Sequence, residues 1–228
     1  MEGRLFTFLG SIGGHAQEWI ILSHFALVVG ITMLLARAAT KKMQLVPTGS
    51  QNLMETFIGG IISMGADTMG EKNARRYLPL IGSLAIIIFI SNMMGVIPGF
   101  EAPTSNINFT LSLALIVFVY YNYVGIKING FFNYFKHFMG PMPILAPLMF
   151  PIEIISHISR IISLSFRLFG SIRGDDMFLM VLLMLVPWLL PLPGFFLLTA
   201  FGFLQAFIFS ILTYVYIAGS VMMYEEDH

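Results

Sequence analysis

Five apolar stretches dominate this sequence and limit what it can fold into: Trp19–Ala36, Leu78–Ile97, Ile107–Val124, a long region from Ile144 to Leu190, and Phe195–Ser220. A helical bilayer span takes ~20 mostly apolar residues, so the 228-residue chain has room for several. In hydrocarbon every backbone N–H and C=O must find a partner within the protein, and runs of this length meet that demand as helices. Composition agrees, with hydrophobic residues at 57% and charged residues at 11%, against about 45–50% and about 25% in soluble domains. Disorder, a basic nucleic-acid-binding surface and an ordinary water-soluble fold are excluded as main readings. The chain reads as an all-α, polytopic membrane protein, a single membrane domain over residues 1–228.

The first run does not read as a cleaved leader. Glu2, Arg4, His15 and Glu18 form no positive n-region, and Trp19–Ala36 exceeds the usual ~7–15 apolar residues. Ala36-Arg37-Ala38 mimics a cleavage site, but a first membrane helix is the better reading. Arg37, Lys41, Lys42, Lys72, Arg75 and Arg76 lie between the first and second runs, and Lys127 and Lys136 follow the third. Pro98–Asn106 and Pro191–Gly194 carry no basic residue. The positive-inside rule then puts the N-terminus outside and both basic loops in the cytoplasm. About five traverses leave the tail Glu225-Glu226-Asp227-His228 inside.

Gln51–Met69 differs in kind. Leu53, Met54, Phe57, Ile58, Ile61, Ile62, Met64 and Met69 recur at helical spacing, with Gln51, Asn52, Glu55, Thr56, Ser63 and Asp67 on the other face. The pattern predicts an amphipathic helix along the cytoplasmic surface. Gly59, Gly60 and Gly65 leave a re-entrant hairpin as the weaker alternative. The chain thus divides into a first span with a surface helix (1–77), a middle helix hairpin (78–124) and a C-terminal helix hairpin (144–220).

The fourth apolar region is too long for one upright span. As a single helix, Ala146–Leu189 extends ~66 Å at ~1.5 Å per residue, about twice a ~30 Å hydrocarbon layer. It must tilt steeply, or break near Gly170–Asp176, and periodicity does not choose. Pro187, Pro191, Pro193 and Gly194 mark a stop before the last helix.

Ionisable residues inside a span are costly and by default functional. Here they cluster as Glu153, His157, Arg160, Arg167, Arg173, Asp175 and Asp176. Positions seven apart nearly superimpose on a helix, so Glu153, Arg160 and Arg167 share a stripe, with Ser171 one turn beyond Arg167. Asp176, nine residues on, points the opposite way. Glu153 and Arg160 are able to pair through neighbours, but Arg167 has no carboxylate at i±3 or i±4. Either another helix of the chain supplies its partner, or another subunit or a water-filled path does; the other spans hold no acid after Glu18, which favours the second. Asp175 and Asp176 are open to pairing with Arg173 at an interfacial bend or to a functional role. His157 reads as a polar liner. Gln205, an amide in a Phe-rich helix, needs a hydrogen-bonding neighbour. His24 and Asn92 read as helix-packing polar groups.

Other chemistries lack their residues. There is no cysteine, so thiol nucleophiles, disulfides and thiolate metal sites are excluded. No HExxH or carboxylate–His ligand spacing exists, so no metal site is expected, and no cofactor. A seven-residue spacing does not suit an Arg-rich voltage sensor. No nucleotide-binding loop is present. Twelve basic and twelve acidic residues cancel, so no net field selects a partner class, nucleic acid included.

Two stretches closely resemble a known family. PIEIISHISRIISLSFRLFG at Pro151–Gly170 and LQAFIFSILTYVYI at Leu204–Ile217 are similar to the paired C-terminal helices of ATP synthase subunit a. SNMMGVIPGFEAPTSNINFTLSLAL at Ser91–Leu115 is similar to its middle helices. The resemblance covers most of the chain beyond residue 80; the N-terminal third agrees in layout only. It implies a proton-translocating stator in the bacterial inner membrane, surrounded by lipid and joined to a rotating ring of subunit c, the subunit b peripheral stalk and the rest of the complex. It also implies two long, strongly tilted C-terminal helices, favouring one continuous helix over a break. Carried over by motif, Arg167 is the arginine facing the ring, Glu153 the acid two turns away, and Gln205 the amide on the last helix.

The departures are specific. Ser171 stands where the family commonly has Asn, the half-channel Glu or His falls at Asp176, and Leu198 occupies a position where many members have His or Glu. Asp175, Asp176, Glu153 and His157 remain to build the proton path. In the implied mechanism, Arg167 attracts each arriving ring carboxylate and keeps it ionised. A self-contained secondary transporter or ion channel is the alternative, but such a transporter usually shows internal repeats and broken helices in both halves. Neither is found here.

Overall fold

A computed structural model describes residues 17–41, 43–44, 46, 49–97, 99–130, 146–185 and 191–222. The α-helices among these described residues are α1 (Gln17–Thr40), α2 (Ser50–Met69), α3 (Glu71–Val96), α4 (Ile107–Asn129), α5 (Ala146–Leu185) and α6 (Pro191–Met222), with a 3-10 turn at Pro103–Ser105 between α3 and α4. No strand occurs among the described residues. Of these helices α1, α3, α4 and α6 are long and apolar enough to cross a membrane. Glu2, Arg4, His15, Lys42, Lys136, Pro187 and the acidic tail Glu225-Glu226-Asp227-His228 lie outside the described residues.

Apolar helices satisfy their own backbones, and several hydroxyls inside them bond back to their own helix. Thr32 donates to the Val28 carbonyl, Ser210 to Ala206 and Thr213 to Phe209, each across 2.7–2.8 Å. Such i−4 bonding lets a polar side chain sit in an apolar environment. Asn106 caps α4, its side chain accepting from the Asn108 N–H at 2.9 Å.

α2 and α3 are separated only by Gly70, whose φ of 79° needs glycine. The Gly70 N–H closes α2 on the Ala66 carbonyl, and Glu71 opens α3 with its negative charge on the positive end of the helix dipole. Hence α3 begins well before the apolar run at Leu78. The last helix also begins earlier than its prolines suggest. Pro191, Pro193 and Gly194 lie in the first turn of α6, where a missing N–H leaves no intrahelical bond unmade. α5 runs unbroken through Gly170–Asp176 over 40 residues, about 60 Å.

α6 is the centre of the bundle, packing on α2, α3, α4 and α5. The core joins Ile61 of α2, Ile81 and Ile88 of α3, Val117 and Tyr121 of α4, Leu164 and Leu168 of α5, and Phe209, Tyr214 and Ile217 of α6. A smaller cluster of Val28, Ile90 and Met94 attaches α1 to α3.

α2 is amphipathic, with a different boundary from the one its pattern predicts. Ile61, Gly65 and Met69 are buried, whereas Leu53 is 75% exposed. Gln51 is buried because its side chain bonds the Gln44 main chain and Glu55. Gly65 serves close packing. A Cβ there would lie 2.5 Å from the Tyr214 ring, and the Tyr214 hydroxyl continues past it to the Ala74 carbonyl at 3.3 Å.

Candidate functional site

α5 carries most of the residues singled out from the sequence and sorts them onto different sides. One side is an apolar surface, exposed in the isolated chain, formed by Ile155, Ile162, Phe166, Met177, Val181 and Met184. Arg167 is exposed on α5 beside Phe166. Among the described residues it makes no ion pair and no hydrogen bond. A guanidinium on an apolar face attracts a carboxylate and favours its ionised form. Its N–H groups donate hydrogen bonds and accept none.

The two aspartates of α5 meet other helices. Asp175 and Asp176 line a small cleft with Asn92 and Gly95 of α3, and Leu198 and Gly202 of α6. Arg173 does not close an ion pair with either within 4.0 Å among the described residues, and the charges acting on Asp176 through space are Arg173 and Glu101. Asn92 is buried, donating to the Gly202 carbonyl at 3.3 Å and accepting from Thr104 at 2.9 Å. The cleft therefore combines two adjacent carboxylates with a fixed amide. Leu198, at the position where the resemblance gives His or Glu in many members, contributes an apolar wall to the same cleft.

A third group forms where α5 crosses α4. The Tyr121 hydroxyl lies 2.6 Å from Nδ1 of His157, and the two rings stack nearly parallel at 5.7 Å. On the other side of the imidazole, Nε2 lies 3.5 Å from Oε1 of Glu153. Phenol, imidazole and carboxylate thus stand in series, with the His157 ring buried. Glu153 takes His157 one turn along; Arg160 instead lies over the Tyr216 ring of α6, 5.7 Å from its centroid. A cation over an aromatic face is stabilised without a carboxylate, so the Glu153–Arg160 pairing allowed by spacing does not form.

Gln205 is buried in α6, and its Nε2 has no hydrogen-bond partner among the described residues. Ser171 is half-buried and turns back to the Leu168 carbonyl at 3.1 Å. Reasoning from sequence missed three participants. Asn92 read as a packing group although it walls the Asp175–Asp176 cleft. Tyr121 carried no signal among its tyrosine neighbours. Glu101 lies in the short connector between α3 and α4, and its charge reaches Asp176 only through the fold; an acid just beyond an apolar run was the available clue. Among the described residues no three His, Asp or Glu side chains are placed to hold a metal ion.

Comparison with known proteins bears on the same residues. The model of the family described as ATP synthase A chain matches residues 20–218. The chain is 85% identical over 228 residues to ATP synthase subunit a of Aliarcobacter butzleri, covering 100% of both chains. It is 59% identical over 227 residues to ATP synthase subunit a of a Nitratiruptor species, again covering 100% of both. It is also 63% identical over 225 residues to ATP synthase subunit a of Campylobacter jejuni, covering 98% of this chain and 99% of that one.

Proposed function

The chain belongs to the ATP synthase A chain family, and on that premise we propose that it is the proton-translocating stator subunit of an ATP synthase, with Arg167 as the electrostatic gate between two half-channels. It is a membrane-embedded member of the ATP synthase complex. Its direct partners in this reading are a ring of subunit c and the peripheral stalk of subunit b, within the bacterial inner membrane. α5 joins α1, α3, α4 and α6 to make five traverses, the N-terminus lies outside and the C-terminus is cytoplasmic.

The observation that carries this reading is the exposure of Arg167 on a 40-residue helix, beside its apolar side and without a counter-charge among the described residues. A lone cation facing lipid is unfavourable; a ring carboxylate arriving from a second subunit relieves it. Protons board that carboxylate from one half-channel and leave by the other after rotation. Asp175, Asp176 and the Asn92 cleft build one path. Glu153 and His157, with Tyr121, build the other. Ser171 and Gln205 flank the gate as polar neighbours. Each elementary charge crossing 100 mV releases ~2.3 kcal/mol, so several protons pass per ATP made elsewhere in the complex.

The test is Arg167→Ala in vesicles containing the whole complex, with proton uptake, ATP synthesis and co-purification of the ring measured together. The expected result is an assembled membrane sector without proton-driven ATP synthesis. Assembly with near-normal synthesis removes the gate assignment.

A further inference from the structure

Away from the proton path, the end of α3 that begins the helix and the end of α4 that finishes it form a second, open cleft. Arg76 and Tyr77 line it from α3, and Tyr120, Tyr123 and Lys127 line it from α4. The Arg76 guanidinium stands 5.8 Å from the Tyr77 ring centroid, and the Lys127 ammonium 5.9 Å from that of Tyr123. Tyr77 and Tyr120 pack edge to face at 6.3 Å. The aromatic rings hold both cations in place without neutralising them. Neighbouring Arg75 is bonded to Glu71 at 2.8 Å. Arg76 and Lys127 have no carboxylate within 4.0 Å among the described residues.

Both helices are apolar enough to cross a membrane, so the cleft sits at the membrane boundary of two spans. Tyrosine is the residue of that boundary, with an apolar ring and a hydroxyl that donates. Leading away from the cleft, Tyr123, Val119, Leu115 and Leu111 form one exposed stripe along α4 at steps of four residues, with exposed Ile116 three residues before Val119. Two uncompensated cations, phenol donors and an apolar track beneath them match one chemistry.

We propose that this cleft binds the phosphate of an anionic phospholipid headgroup, held by Arg76 and Lys127, with an acyl chain along Tyr123, Val119 and Ile116. Basic pockets between spanning helices are suited to anionic headgroups, and cation-to-phosphate hydrogen bonds are stronger than neutral ones. The apolar stripe selects a lipid over free phosphate, which gains nothing from it.

The test uses the intact ATP synthase complex in phosphatidylcholine nanodiscs doped with a phosphatidylglycerol probe carrying an acyl-chain diazirine. Light should label the α4 peptide containing Val119 and Tyr123. Unlabelled phosphatidylglycerol should displace the probe; extra phosphatidylcholine and millimolar inorganic phosphate should not. A cation near the surface is worth ~1 kcal/mol, about fivefold in affinity, so the Arg76→Ala/Lys127→Ala pair should weaken labelling about 25-fold, whereas Arg76→Lys retains most of it. The competition arms use the wild-type chain, so the proposal stays testable if the double variant fails to assemble. Equal labelling by a phosphatidylcholine probe would show ordinary surrounding lipid and overturn the proposal. Displacement by inorganic phosphate would replace the lipid with a free anion. Absence of label from this peptide in the intact complex would mean another subunit covers the cleft.

Discussion

Asn92 and Gly202, 110 residues apart in sequence, meet through a hydrogen bond of 3.3 Å from the Asn92 side-chain amide to the Gly202 carbonyl. The contact leaves little room on α6, since a Cβ at position 202 would lie 3.2 Å from the Asn92 Cβ and 3.0 Å from Met93 Cε, and these neighbours would have to give way. With Thr104 donating to the other end of the amide, one side chain ties α3, the 3-10 turn and α6 together beside Asp175 and Asp176.

Asn92→Leu keeps comparable volume and removes both bonds, leaving the Thr104 hydroxyl buried without its acceptor. The expected loss is ~1–3 kcal/mol, read as a lower inactivation temperature of the detergent-solubilised complex. Proton uptake should fall even below that temperature, because the amide wall of the cleft is gone. An unchanged inactivation temperature and unchanged uptake would leave Asn92 without either role.

Arg167→Lys should fail nearly as completely as Arg167→Ala. An ammonium lacks the planar fork of the guanidinium and loses its proton more readily when desolvated. In vesicles with assembled rings, passive proton leak should persist or rise while ATP synthesis disappears, since ring carboxylates then exchange protons without productive rotation. Substantial synthesis by the Lys variant would show that position 167 needs a charge and not an arginine.

Asp176→Asn should slow proton flux about 10²-fold, the lower end for a lost proton-transfer group, because Asp175 stands beside it. Asp176→Glu should retain much of the flux. Leu198 lines the same cleft, so adding Leu198→Glu to the Asn variant should restore part of the proton uptake. Failure of that restoration, with assembly intact, would place the proton path elsewhere.

Orientation is open to a simpler measurement. A tag at Met1 should be reached only by an impermeant reagent outside the cell, and one at His228 only from the cytoplasmic side. A cytoplasmic Met1 would overturn the five-traverse reading.

What the sequence determined by itself is the class of fold and the residues that have to be explained. Long apolar runs admit helices because hydrocarbon offers no other partners for the backbone, and the same cost of charge makes Arg167, Asp175 and Asp176 conspicuous within them. Spacing along one helix also separates Arg167 from Asp176, since that geometry is local. Contacts between helices were not legible. Glu153 takes His157 instead of Arg160 because Tyr216, from the next helix, offers Arg160 an aromatic face. Gly65, which with Gly59 and Gly60 left a re-entrant hairpin as the weaker alternative, proves to be the seat of Tyr214. Pro191 and Pro193 read as a stop and prove to open a helix, where a missing N–H does no harm. Asn92 and Tyr121 gained their places beside Asp176 and His157 only when α3, α4 and α5 packed together. Periodicity reports which face of a helix is apolar; which partner that face meets depends on steric fit between distant segments, and that is decided in three dimensions.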